Sequence, residues 1–216
     1  MKTEDRETLR ARLRAAIPRG YSPLLHLAFP SVVGLGCALA ALLLLRGLRP
    51  LELLTVPVVF RLSNMTEWRA HRDLLHKRRW PLEVLYDRHT PEHHRIFITE
   101  DMAIRDRREL RLVLIPAYGI LTVALGAAPV PIAAALLGLT NVGLLFLATS
   151  MAYVVSYEWL HLAYHLPPDS FIGRRWLIAR LRRHHAVHHD PRLMQSWNFN
   201  VTFPIWDWVR GTIHPS

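Results

Sequence analysis

Cysteine is almost missing from this 216-residue chain, where Cys37 stands alone. A single thiol excludes an internal disulfide, a Cys-ligated zinc site and an iron–sulfur cluster. Lysine is nearly as scarce, with two residues against 25 arginines, and that bias with abundant Ala and Leu points to a GC-rich bacterial genome. A Gly-rich dinucleotide fingerprint is missing, and the chain has no room for a fused cytochrome domain. A redox reaction would therefore draw its electrons from a separate protein. Charge is missing from two long stretches, Leu27–Leu45 and Leu112–Tyr157, although the formal net charge is +10 and the hydrophobic fraction 51%. Apolar and charged segments are thus sharply segregated. The charged N-terminus does not lead directly into an apolar core, so no cleavable signal peptide is expected.

The uncharged stretches have membrane dimensions. Leu27–Leu45 would be about 28 Å long as a helix, enough to cross a hydrocarbon core. Arg46–Pro50 reads as a turn. Leu51–Leu62 is apolar but contains Glu52 and must borrow length from Ser63–Trp68 to span. Leu112–Tyr157 is too long for one span, and Gly126-Ala-Ala-Pro-Val-Pro131 should break it into a hairpin. Its second helix should run through Glu158 to His165 and stop before Pro167-Pro168. Ahead of all this, Thr3 can cap a helix to about Ile17, whose stripe of Leu9, Leu13, Ala16 and Ile17 suits an anionic lipid surface.

Charge sets the orientation. If the N-terminus is inside, residues 1–20, 67–111 and 166–216 share one face and carry 24 of the 27 Lys and Arg. That is the positive-inside pattern. The expected fold is an all-α membrane protein with two transmembrane hairpins (27–66 and 112–165), an interfacial N-terminal helix, and cytoplasmic segments 67–111 and 166–216. It forms one domain in a bacterial inner membrane, with no nucleic-acid partner.

All the histidines except His26 fall on or near that cytoplasmic face. They cluster as His71 and His76; His89, His93 and His94; His161 and His165; and the run Arg183-His-His-Ala-Val-His-His-Asp190. Imidazoles at i,i+3 and i,i+4 share a helix face, and such arrays are metal-ligand chemistry more often than packing. His161 and His165 should face the same way, as should His89 and His93. His71 and His76, five apart, lie about 140° apart on an ideal helix. They would serve two different metals, or one metal from a distorted helix. Ten imidazoles exceed the needs of one ion and fit two. The soluble di-iron pattern of paired Glu-x-x-His motifs is not met, because Glu158-Trp-Leu-His161 is its only instance. Asp73, Glu92, Glu158 and Asp190 are candidates to orient the rings or offset the metal charge.

These boxes, with the tail Asn198-Phe-Asn-Val-Thr-Phe-Pro-Ile-Trp-Asp-Trp-Val-Arg-Gly-Thr212, resemble the fatty acid hydroxylase / sterol desaturase superfamily of membrane non-haem di-iron enzymes. The separate pair His161/His165 fits the hydroxylase branch. The resemblance implies His71, His76, His89, His93, His94, His161, His165, His185, His188 and His189 as ligands of two irons, with zinc a possible substitute. The second box departs from the family in having three residues, not two, before its His pair. In the last box His184 competes with His185 for the first position. His26 and His214 match no box and are expected at interfaces or surfaces. The resemblance further implies O2 as co-substrate and attack on an unactivated C–H bond of a lipid. The electron donor would be a ferredoxin or cytochrome, for which a basic face suits an acidic partner. Trp159, Tyr164, Trp197, Phe199 and Trp206 are candidates to line a lipid path. A desaturase or oxidase of a sterol, carotenoid or alkyl lipid is the nearest alternative. A metal-binding membrane protein or transporter is the other. A transporter would need polar residues deep in its spans, where this chain offers little beyond Asn141 and a few hydroxyls.

Overall fold

The computed structural model describes residues 5–215, and it is helical, with no strand among them. The expected Thr3 cap lies outside the described residues. The helices are α1 (Arg6–Ala15), α2 (Pro23–Leu43), α3 (Thr55–Ala70), α4 (Glu83–Arg88), α5 (His94–Ile96), α6 (Leu110–Val113), α7 (Gly119–Ala127), α8 (Pro129–Leu136), α9 (Thr140–Tyr164), α10 (Trp176–His188) and α11 (Ile205–Arg210). Two compact units divide them: residues 24–63 with 115–159, and residues 1–23 with 64–114 and 160–216.

The first unit is apolar. Pro23–Leu43, Gly119–Leu136 and Thr140–Tyr164 are each long and apolar enough to cross a membrane. They leave Leu24, Leu25, Val32, Leu125 and Leu136 largely exposed, as a lipid-facing surface requires and a water-facing one would not tolerate. Ala38, Ala41 and Ala148 pack with Ile120 and Met151 in one buried cluster, where the alanines let the helices approach. A Cβ on Gly34 would stand 2.5 Å from the Val155 side chain, so this α2–α9 contact requires glycine. Helix α3, at 16 residues and carrying Arg61, is shorter than a span.

The hairpin break falls elsewhere than the prolines suggest. Ala128 N still donates to Ala124 O at 2.9 Å and Ile132 N to Ala128 O at 3.3 Å. The helical path therefore continues through Pro129, which sits at a helix first turn where its missing N–H costs nothing. Gly138, at φ +73°, makes the turn instead. At the other turn Asn141 clasps the Arg46–Pro50 loop, donating from Nδ2 to Arg46 O (2.8 Å) and Glu52 Oε2 (3.0 Å). Glu52 is in turn held by Arg49 at 2.9 Å. Asn141, one of the few polar residues a transport reading could draw on, is thus occupied in joining a loop. His26, expected at an interface or surface, is buried and bonds through Nε2 to Ile115 O at 2.8 Å.

The second unit is stapled by polar contacts. The apolar stripe of α1 does not face lipid: Leu9 and Leu13 are buried against Ile96, Phe97 and Val113. An amphipathic stripe reports only that one face is covered, and here protein covers it. Beside it the buried Arg10 pairs with the buried Glu109 in a two-pronged bridge of 3.0 and 2.6 Å. At the other end, Asn64, Glu67 and Trp68 of α3 hold the segment 198–212 through Phe203 O, Thr202 and Asp207.

Candidate metal centre

All ten box histidines lie in the second unit and all are buried. They form two groups of five. Group one is His71, His76, His89, His94 and His188; group two is His93, His161, His165, His185 and His189. Within each group the ligating atoms lie within 4.8 Å of one another.

Local backbone geometry explains the sorting. His71–Leu75 and His89–His93 are π-helical. A π-turn closes i to i+5, so residues five apart come together where an α-helix would separate them. His71 and His76 stack at 5.1 Å between ring centroids, and His89 meets His94 at 4.6 Å. The same turn accommodates the additional residue in Thr90-Pro91-Glu92. It also splits His89 from His93, which enters the other group, so those two do not share a site as an α-helical reading expects. On α9 and α10 ordinary spacing holds: His161 and His165 share group two, as do His185 and His189, while His188 projects into group one. His184 stands apart, 3.1 Å from Asp207 Oδ2.

The tautomers follow from the outer nitrogens. His188 Nδ1 donates to Trp197 O (2.8 Å), His93 Nδ1 to Leu112 O (2.8 Å), His165 Nδ1 to Met102 O (2.7 Å) and His189 Nδ1 to Phe97 O (2.6 Å). His71 Nδ1 donates to Phe199 O. Thr90 gives its only hydroxyl proton to Leu75 O at 2.7 Å, so at 3.1 Å it accepts from His76 Nδ1. Each of these six rings therefore keeps its proton outside and turns a bare Nε2 inward, the arrangement that prepares imidazole for a metal.

Bare nitrogens then face each other. His76 Nε2 and His188 Nε2 are 2.9 Å apart, and both rings have spent their proton on the far side. His71 and His94 each approach His89 Nε2 at 3.0 Å, and His185 approaches His189 at 3.1 Å. The Nε2 atoms of His93 and His165 are buried with no hydrogen-bond partner. Protonation is a poor remedy, because burial pushes His71 and His93 down to about 4 and holds His89, His94, His185, His188 and His189 well below the usual imidazole range. A metal cation would supply what these lone pairs lack. Each group would offer five imidazoles to a cation, one more than the four ligands of a closed zinc site. The residues therefore fit two metals with more than four ligands each, such as iron.

No carboxylate joins either group among the described residues. Asp73 pairs with Arg72 and Lys77, and Asp190 with Arg192. Glu92 is half-buried, which raises its pKa, and Glu158 is buried three residues before His161. Six of the ten rings are oriented by backbone carbonyls and Thr90. Of the aromatic candidates, Phe199 packs edge-on against His71, His76 and His188, and Tyr164 tilts against His185 while its hydroxyl donates to Val201 O at 2.9 Å. Trp197 supplies a carbonyl, and Trp206 donates its backbone N–H to Asn64 Oδ1 at 2.9 Å. Trp159 is part-exposed in the apolar unit and donates to Ser31.

Residues that sequence reasoning assigned no role surround this centre. Asp207, fully buried, accepts from Phe199 N (2.9 Å), Asn200 N (2.8 Å), Trp68 Nε1 (3.1 Å) and Thr212 Oγ1 (2.7 Å). Its signal was the Trp-Asp and Gly-Thr of the tail: Gly211, at φ +65°, turns the chain so that Thr212 N reaches Asp207 O at 2.8 Å. Compared with known proteins, residues 56–212 match the model of a family described as fatty acid hydroxylase, well over half of the chain. No curated protein and no solved structure matches it.

Proposed function

We propose that this chain, which belongs to the fatty acid hydroxylase family, is a membrane oxygenase that uses two irons to hydroxylate a C–H bond of a lipid, in first place a fatty acyl chain. The observation that carries the reading is the pairing of bare, buried imidazole nitrogens, above all His76 and His188. In this reading all ten box histidines are ligands, five to each iron.

No protein side chain can break an unactivated C–H bond, so the oxidising power must be the cofactor's. With O2, two electrons and two protons, bound iron would supply insertion of one oxygen atom into that bond while the other leaves as water. The chain's own work is to hold and to exclude. Five carbonyls and Thr90 fix the tautomers of six of the ten rings, so those six would need no reorganisation on loading. Burial keeps the imidazoles neutral and the site dry, which protects a strong oxidant from side reactions. Phe199 and Tyr164 give the rings apolar neighbours suited to a hydrocarbon.

Four spans are part of the proposal. Helix α3 with the preceding turn Pro50–Leu54 would serve as the fourth, and the segregation of Arg supports a cytoplasmic site in a bacterial inner membrane. Electrons would come from an acidic ferredoxin or cytochrome. A desaturase would use the same irons and electrons but leave no oxygen in the lipid. The test is turnover with labelled O2 by iron-loaded protein, a reductant system and a lipid extract. Label in a lipid hydroxyl is expected. A new double bond without label would favour the desaturase. Protein that holds only zinc, and is indifferent to iron, would overturn the oxygenase reading.

A further inference from the structure

We infer that the two histidine groups are oriented by two separate polar anchors, Asp207 for group one and the Arg10–Glu109 pair for group two, so that either group can lose its metal while the other keeps it. The inference rests on the two-metal reading above and adds positioning residues to it.

Group one is held through two peptide planes. The Phe199 carbonyl that accepts from His71 shares its plane with Asn200 N, which donates to Asp207 Oδ2 at 2.8 Å. The Trp197 carbonyl that accepts from His188 shares its plane with Asn198 N, which donates to Thr212 O at 2.8 Å. Thr212 is itself tied to Asp207 through its hydroxyl at 2.7 Å. One carboxylate thus holds, from behind, both planes that orient ligands of group one. Asp207 returns a bond as donor, its N–H meeting Asn200 Oδ1 at 3.0 Å. Asp207 also meets His184 Nε2 at 3.1 Å, one residue before His185 on α10, but it touches no ring of group two.

Group two is braced from the N-terminal side. Its carbonyls are those of Phe97, Met102 and Leu112. Arg10 donates to Ala103 O at 2.8 Å, next to Met102, and its guanidinium stands 5.3 Å over the Phe97 ring. Glu109 accepts from Arg10 and from Arg105 N at 2.9 Å. Between them, Ile104 N donates to the carbonyl of His165 itself at 2.8 Å. Leu9 and Leu13 of α1 close the cluster with Phe97 and Val113. Both anchors act through other residues, and neither touches a ring of the ten.

Partners of this kind typically govern roughly 10–100-fold in metal affinity. Asp207→Asn replaces an all-acceptor group by one with a hydrogen-bearing side, so part of the donor set must turn away. Glu109→Gln removes the charge that Arg10 answers. Each variant is reconstituted with ferrous iron in detergent, alone and combined with His76→Ala or His161→Ala, and iron per chain is measured. Asp207→Asn should weaken one of the two irons by 10-fold or more, leave His76→Ala unchanged, and strip the remaining iron from His161→Ala. Glu109→Gln should show the mirror pattern. Should Asp207→Asn not yield folded protein, Thr212→Val carries the test, with a loss of roughly 10-fold confined to group one. Variants that keep both irons at wild-type affinity, or lose both together with helicity intact, would overturn the anchors. A wild-type chain that binds fewer than two irons would overturn the two-metal reading itself, and the anchors with it.

Discussion

Removing the metal should make this fold acid-labile, and the structure sets the scale. A free histidine titrates near 6.5. In the fold, burial holds His71 and His93 down to about 4, and six further rings outside the long apolar helices are lowered for the same first reason. Above pH 6.5 both states are neutral and nothing is lost. Below it the unfolded chain takes up protons that the fold refuses, so stability falls with pH, by about 1.4 kcal/mol per ring per unit. For His71 and His93 the loss stops growing near pH 4, at about 3.4 kcal/mol each. At pH 5.5 His71 and His93 together cost about 2.8 kcal/mol, and the six further rings add to it in the same direction, against the 5–15 kcal/mol of a whole domain. Metal-loaded protein should resist, since protons must then compete with the cation for each Nε2. Circular dichroism of chelator-treated and iron-loaded protein, titrated from pH 8 to 4, reads this directly. The metal-free form should unfold between pH 6.5 and 5, at least one unit above the loaded form. Coincident transitions, or metal-free protein intact at pH 4.5, would refute the reasoning.

Three further outcomes are expected. His161→Ala should lose about one metal and all activity while still inserting in the membrane; full activity would remove His161 from the ligand set. Gly34→Val drives a side chain into Val155 and should lower stability by about 1–3 kcal/mol, seen as a lower melting temperature in detergent with metal content unchanged. Asn141→Leu frees the Arg46–Pro50 loop and leaves Glu52 with Arg49 alone, so it should destabilise by about 1–3 kcal/mol yet leave lipid oxidation intact; loss of oxidation at normal stability would give Asn141 a role beyond the clasp.

The histidine spacing made the metal groups partly legible, because ligand chemistry is carried by residue identity. The sorting was less so. His71 with His76, and His89 with His94, meet only through π-turns, and a periodicity of 3.6 residues cannot announce where a helix widens. The stripe of α1 was visible, but amphipathicity does not distinguish a lipid partner from Ile96 and Phe97. Pro129 and Pro131 drew attention away from Gly138, whose left-handed conformation makes the turn. The carboxylates Asp73 and Asp190 invited a role at the rings, whereas neighbouring arginines hold them and backbone carbonyls orient the imidazoles. Carbonyl partners have no sequence signature, since every residue carries one. Asp207 lay in a recognisable motif, but its five donors converge from α3, α10 and the tail only in three dimensions.

The central claim is that two five-imidazole groups each hold a metal. Metal analysis of the purified protein, grown with ample iron and joined to X-ray absorption at the iron edge, tests it most directly. The account predicts about two irons per chain, each with a light-atom shell near 2.1 Å dominated by imidazole. A single four-coordinate zinc, or a chain free of metal that keeps its fold at pH 5, would contradict it.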